Sequence, residues 1–138
     1  MTQPLKILVV DDDPGDTMLI CDALAEGPHP SRVSTAPDGA AGLDHLRAHP
    51  ATDLILLDLN MPRMNGHEVL AAIKADKELC HIPVIIFTTS DAPDDVMNSY
   101  RLHGNAYITK PVDFEKFGRV IQQIGHFYDE VALLPRPS

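Results

Sequence analysis

The 138-residue sequence predicts an α/β domain: a five-stranded parallel sheet between two layers of helices. Three observations lead there. Five short strand-like runs alternate with five stretches of helical periodicity, and the short loops between them favour right-handed crossovers and parallel strands. Leu54-Ile55-Leu56-Leu57 is an unbroken run of large aliphatic residues, the pattern of a strand buried on both faces. Charged or hydroxyl residues then stand where four of the runs end, the edge at which such sheets bind ligands.

The elements follow in order. After a short frayed start, Met1 to Pro4, Lys6 to Val10 reads as a buried strand ending in Asp11-Asp12-Asp13-Pro14. Asp13 suits an N-cap with Pro14 at the first helical position, and Met18, Leu19, Cys21 and Leu24 carry a helical pattern to a stop at Gly27-Pro28. Arg32 to Ala36 is the second strand. Asp38-Gly39 opens the second helix, with Leu43 and Leu46 inward and Pro50 beyond its end. Leu54 to Leu57 is the third strand, and a loop of turn formers, Asn60 to Gly66, leads to a helix burying Val69, Leu70 and Ile73. Val84 to Phe87 is the fourth strand, ending in Thr88-Thr89-Ser90. A helix from Pro93 to His103 follows, with Gly104 expected as its left-handed C-terminal residue. Ala106 to Thr109 is the short fifth strand, with Lys110-Pro111 at its end. The last helix starts near Asp113 and carries Phe114, Phe117, Val120, Ile121, Ile124, Phe127 or Tyr128, Val131 and Leu134 at helical steps.

Composition narrows the function classes. Eleven Lys plus Arg against 20 Asp plus Glu give a net charge of -9, which repels nucleic acid and anionic membrane. No apolar run approaches the roughly 20 residues of a membrane span, and no signal region opens the chain, so a soluble, cytoplasmic protein is expected. One domain is expected over residues 1–138, with its core at about 5–128 and a C-terminal extension at 129–138. Cys21 and Cys80 are too few for a disulfide framework and read as reduced small hydrophobes.

The chemistry gathers on one rim. Asp11 and Asp12 end the first strand, Asp58 the third, Thr88 the fourth and Lys110 the fifth. Crowded carboxylates repel one another, and a hard divalent cation relieves the conflict. Oxygen ligands from Asp11, Asp12 and Asp58, with the backbone carbonyl of Asn60 and retained waters, describe a magnesium site. With the pocket neutralised, Asp58 can act as a nucleophile toward a phosphoryl group. Lys110 and the Thr88 hydroxyl would then meet the charge on the phosphoryl oxygens.

With those residues placed, the chain to about Tyr128 resembles the receiver domain of two-component response regulators, of the chemotaxis-regulator type. The resemblance is carried by Val9-Val10-Asp11-Asp12, by Leu57-Asp58-Leu59-Asn60-Met61-Pro62 with Gly66, by Phe87-Thr88, and by Tyr107-Ile108-Thr109-Lys110-Pro111. It implies a flavodoxin-like strand order 2-1-3-4-5, in which ligands bind where the strand order reverses. It also implies Asp58 as phosphoacceptor, Asp11 and Asp12 at a Mg2+ ion, Thr88 and Lys110 on the phosphoryl group, Thr88 and Tyr107 as a coupled switch, and a cis Lys110-Pro111 bond. The tail, running through Phe127-Tyr128 and Leu133-Leu134-Pro135, is similar to that of stand-alone regulators of bacterial and cyanobacterial phytochrome histidine kinases.

The resemblance implies a single-domain phosphorelay protein that takes a phosphoryl group from a sensor histidine kinase, a bacteriophytochrome among the candidates, and loses it slowly. With no effector region after the last helix, output is expected through protein contacts. The apolar extension motivates a homodimer built on the fourth helix, fifth strand, fifth helix and tail. The alternative is a haloacid-dehalogenase-like aspartyl phosphatase, which shares a strand-end Asp, a hydroxyl, a Lys and magnesium. Such enzymes place a second Asp two residues after the nucleophile, where this chain has Asn60. A flavin module is disfavoured by the acidic loop Asp11 to Gly15, where a phosphate cradle needs amides and hydroxyls. Asp13 is explained by its cap alone. His45 and His49, four apart, read as an exposed polar face, since residue 46 is Leu and not the Glu of a zinc-protease motif.

Overall fold

The computed structural model describes residues 4–26 and 31–135. The expected stop at Gly27-Pro28, the first three residues of the frayed start and the last three of the extension lie outside them. Five strands, β1 (Lys6–Val10), β2 (Arg32–Ala36), β3 (Leu54–Leu57), β4 (Val84–Thr88) and β5 (Ala106–Thr109), alternate with five helices, α1 (Pro14–Ala25), α2 (Gly39–Ala48), α3 (Gly66–Ala75), α4 (Pro93–Arg101) and α5 (Phe114–His126). The strands form one sheet in the order β2-β1-β3-β4-β5. Every pairing is parallel. This is the flavodoxin-like architecture that the alternation and the motifs led us to expect.

Two apolar layers account for the sandwich. Because successive strand residues point to opposite faces, Leu8, Val10, Ile55, Leu57, Val84 and Ile86 pack with Leu43 and Leu46 of α2 and Val69, Leu70 and Ile73 of α3. Ile7, Val9, Leu54, Leu56, Ile85 and Phe87 pack instead with Ile20 and Leu24 of α1 and Phe117, Ile121 and Ile124 of α5. β3 lies in the middle, and none of its four side chains exceeds 1% exposure. Each such aliphatic side chain contributes about 1.5–3 kcal/mol of transfer free energy. An unbroken aliphatic run is what a strand covered on both faces requires.

Local chemistry sets the helix ends. The Asp13 carboxylate accepts from the amides of Gly15 and Asp16, Asp38 from that of Ala41, and Asp113 from that of Lys116. Asn65 and Glu68 form a reciprocal capping box that starts α3. At the far end of α4 the expectation fails by one residue. His103, at φ 70°, holds the left-handed position expected for Gly104, and Leu102 is the C-cap. The amide of Gly104 donates to Ser99 O at 2.9 Å and that of His103 to Tyr100 O at 3.0 Å, the paired bonds of a Schellman ending. Glycine is needed one position later because a Cβ there would sit 2.9 Å from Ser99 O.

Three further expectations are corrected. Met18 is 64% exposed, and Ile20 takes the inward place on α1. Phe114 is 70% exposed. It stands at the rim beside Lys110 and Pro111, one turn before the buried Phe117. The described residues contain no cis peptide bond, so Lys110-Pro111 is trans. Trans is favoured by about 0.5–1 kcal/mol in such bonds, and Lys110 reaches the rim in that form. Beyond α5 the chain makes one wide turn, Phe127–Val131, closed by an Ala132 amide bond to Phe127 O at 2.8 Å. Tyr128 and Leu134 return to the core, whereas Phe127, Val131 and Leu133 stay exposed.

Candidate functional site

Parallel strands end on the same side, and their register decides which ends meet. Val10 pairs with Leu57, so Asp11 and Asp58 follow side by side, and the Asp58 amide donates to Val10 O at 3.0 Å. Thr88 pairs with Thr109, which sets Lys110 next to the end of β4, its amide donating to Thr88 O at 2.6 Å. The structure therefore brings together residues 11, 12, 58, 88 and 110. Asp11, Asp58, Thr88 and Lys110 are all buried, while Asp12 is exposed.

Carboxylate oxygens of Asp11, Asp12 and Asp58 lie within 4.8 Å of one another. The Lys110 ammonium answers this charge: Nζ lies 2.8 Å from Asp11 Oδ2, 2.8 Å from Asp16 Oδ2 and 3.4 Å from Asp58 Oδ2. Burial pushes the Asp11 carboxyl up from 3.8 to about 6, outweighing the opposing hydrogen bonds from Lys110 and the Asp13 amide. For Lys110 the balance goes the other way. Burial alone would lower its pKa, but its bonds to Asp11 and Asp16 hold it above the ordinary lysine value.

One lysine therefore leaves the cluster short of positive charge, and burial makes the ionised Asp11 costly to hold without a further cation. A set of hard carboxylate oxygens, two of them on buried residues, fits a divalent metal of the oxygen-liganded kind.

The neighbouring side chains complete the rim. Asn60 turns its amide nitrogen toward Thr88 Oγ1 at 3.4 Å, and its own backbone amide approaches Asp58 Oδ1 at 3.3 Å. A carboxamide neither releases nor takes up a proton near neutral pH, so the Asn60 side chain supplies no general acid. Tyr107 donates its hydroxyl to Ser90 O at 2.8 Å, and burial raises its pKa. Gly66 is required by close approach: a Cβ there would press into the Asp58 carbonyl and come within 2.7 Å of Leu59 Cα.

Asp16 was missed by the sequence reading. An acidic residue in a helix's first turn is already explained by the helix dipole, which hid its second use. The signal was positional: Asp13 caps α1 on the rim itself, so the third helical residue also lies beside the strand ends. His45 and His49 stack at 4.3 Å on the last turn of α2 and join no candidate metal group among the described residues. His49 is exposed and His45 half-buried, so the face they share is less open than the exposed polar face expected.

Comparison with known proteins adds a family to this geometry. The response regulator receiver domain profile matches residues 7–122. Response regulator Rcp1 of Synechocystis is 38% identical over 138 residues, covering 96% of this chain and 94% of Rcp1. The probable methanogenesis regulatory protein FilR2 of Methanothrix harundinacea is 38% identical over 130 residues, covering 91% and 84%. The crystal structure of the phosphorylated cyanobacterial phytochrome response regulator RcpA superposes with a TM-score of 0.92 at 41% identity, covering 96% of this chain and 99% of RcpA. The Mn2+-bound form of Rcp1 gives 0.87 at 37% identity, with the same coverage. The strand-end carboxylates, hydroxyl and lysine are thus set in a chain that belongs to the response regulator receiver domain family.

Proposed function

We propose that the chain is a single-domain response regulator in which Asp58 accepts a phosphoryl group from a sensor histidine kinase. The observation that carries this reading is the position of Asp58: a buried carboxylate beside Asp11 and Asp12 with the Lys110 ammonium 3.4 Å away. Asp58 forms the new bond to phosphorus while the donor histidine nitrogen leaves and takes up a proton. Lys110 neutralises charge on the transferred oxygens, and Thr88 supplies a hydroxyl hydrogen bond. Asp11, Asp12, Asp58 and the Asn60 carbonyl would hold Mg2+, whose charge lowers the repulsion between the carboxylates and the incoming phosphoryl group.

The bound phosphoryl group adds about 1.5 to 2 negative charges at the rim. Thr88 is drawn toward it, and Tyr107 on the next strand answers by changing its hold on Ser90, which biases α4 and β5. Asn60 in place of a general acid favours a stored signal over rapid turnover, so the chain is a signalling protein and not a hydrolase.

The receiver unit spans about 5–128, and 129–138 form an extension. Leu134 ties this extension to the core beside Tyr128, the last residue of the receiver unit, leaving Phe127, Val131 and Leu133 as an apolar surface. That surface, with α4, β5 and α5, joins two copies in a homodimer. Output passes through protein contacts, not nucleic acid or membrane, in keeping with the charge of -9 and a cytoplasmic setting beside the kinase. No described helix is long and apolar enough to cross a membrane. The similarity to RcpA and Rcp1 along nearly the full chain supports a phytochrome-type kinase as the donor.

The experiment is phosphotransfer from a purified phytochrome histidine kinase and from an unrelated histidine kinase, with Mg2+ present. Faster labelling of this chain by the phytochrome kinase supports the pairing. Equal rates would reject the pairing, and no labelling by either donor or by acetyl phosphate would reject the phosphoacceptor itself.

A further inference from the structure

We infer that Asp16 is a positioning residue that restrains the Lys110 ammonium and so sets how tightly the rim holds a phosphoryl group on Asp58. The inference rests on the phosphoacceptor reading above and adds a residue to it. Nζ makes contacts of 2.8 Å with Asp11, 2.8 Å with Asp16 and 3.4 Å with Asp58. A lysine ammonium has three N–H donors, so all of them are committed before any phosphoryl group arrives. The contact to Asp58 is the longest of the three. Any oxygen added at Asp58 therefore competes with Asp16 and Asp11 for the same hydrogens.

The two competitors differ in kind. Asp11 belongs to the carboxylate group that could hold a metal, whereas Asp16 is not a member of it. Asp16 sits on the first turn of α1, where Asp13 caps the helix by accepting from the Asp16 amide at 3.2 Å. The cap fixes the backbone that carries the Asp16 carboxylate. Its side chain is 26% exposed, against 4% for Lys110, so it holds the lysine from the solvent side of the rim. Removing its charge frees one ammonium donor and leaves the metal ligands in place.

The test uses the full chain with Asp16→Asn and Asp16→Glu, beryllium fluoride as phosphoryl mimic, Mg2+ alone as a control, and the Lys110 ammonium signal in 15N NMR. Asp16→Asn should tighten beryllium fluoride binding about two- to fivefold, the range expected for losing a partly exposed ion pair. Mg2+ affinity should stay within about twofold, the small change expected for a charge screened by solvent. The Lys110 signal should shift or broaden in Asp16→Asn and stay near its original position in Asp16→Glu. Unchanged or weaker beryllium fluoride binding in Asp16→Asn overturns the inference, as does a Lys110 signal indifferent to the substitution. If the unsubstituted chain binds no beryllium fluoride, the phosphoacceptor reading fails separately, and the Lys110 signal still decides whether Asp16 restrains the lysine.

Discussion

Lys110 and Asp58, 52 positions apart in sequence, face one another at 3.4 Å across the C-terminal rim of the sheet. The contact depends on register, because Thr88 pairs with Thr109 and Val10 with Leu57. One ammonium serves three carboxylates and cannot satisfy them all fully.

Replacing that ammonium should move two affinities in opposite directions. Lys110→Met removes a positive charge beside the carboxylates, so Mg2+ should bind more tightly. It also removes the donor facing Asp58, so beryllium fluoride should bind more weakly. Isothermal titration with each ligand checks this, and parallel changes would contradict the assigned role.

Asp11 makes metal-free stability depend on pH. Its pKa is raised in the folded state from 3.8 to about 6, so between those values the folded chain binds more protons than the unfolded one. This group's contribution therefore falls as pH rises from about 4 to 6 and stays low above that. The cost at pH 7 is on the order of 3 kcal/mol. Without metal, Asp11→Asn should be more stable than the unsubstituted chain at pH 7, with the difference shrinking toward pH 4. Urea unfolding at several pH values measures it. Saturating Mg2+ should reverse the order, since Asn supplies a poorer ligand.

Gly66→Ala tests how the loop after β3 holds the phosphoacceptor. The added methyl would meet the Asp58 carbonyl and Leu59 Cα, backbone atoms with little room to yield. Overpacking of this kind costs about 1–3 kcal/mol. Thermal unfolding should show that loss, and labelling by acetyl phosphate should slow because Asp58 shifts with its backbone.

The extension should govern self-association. Truncation after His126 removes the exposed Phe127, Val131 and Leu133 together with Tyr128 and Leu134, which cover the α5 side of the core. Sedimentation should then show a monomer at concentrations where the full chain is a dimer. An unchanged mass would place the dimer interface elsewhere.

Much of this fold is legible because strand and helix periods leave separate marks. β1 and β3 end where their aliphatic runs do, since a central strand buried on both faces is apolar along its length, while the edge strands β2 and β5 are marked by β-branched and aromatic residues between turn formers. The rim is legible for a related reason. Ionisable residues placed directly after such strands, Asp11, Asp58 and Lys110, are expensive there without partners. What stayed hidden depends on three-dimensional approach. Asp16 looks like an ordinary first-turn acid, and only the reach of Lys110 shows its second use. At the end of α4 the sequence rule puts glycine in the left-handed position. His103 adopts that conformation because crowding against Ser99 O reserves the next position for Gly104. The stripe on α5 overstates burial, because periodicity cannot tell that Phe114 lies past the edge of the core.

Locating the phosphoryl group tests the central claim most directly. After incubation with acetyl phosphate and Mg2+, peptide mapping by mass spectrometry should find the added group on the peptide that contains Asp58. Asp58→Asn should remain unlabelled, and chelation of the metal should slow labelling of the unsubstituted chain. An Asp58→Asn protein that acquires the group at the original rate, or a label found on another residue, would contradict the account.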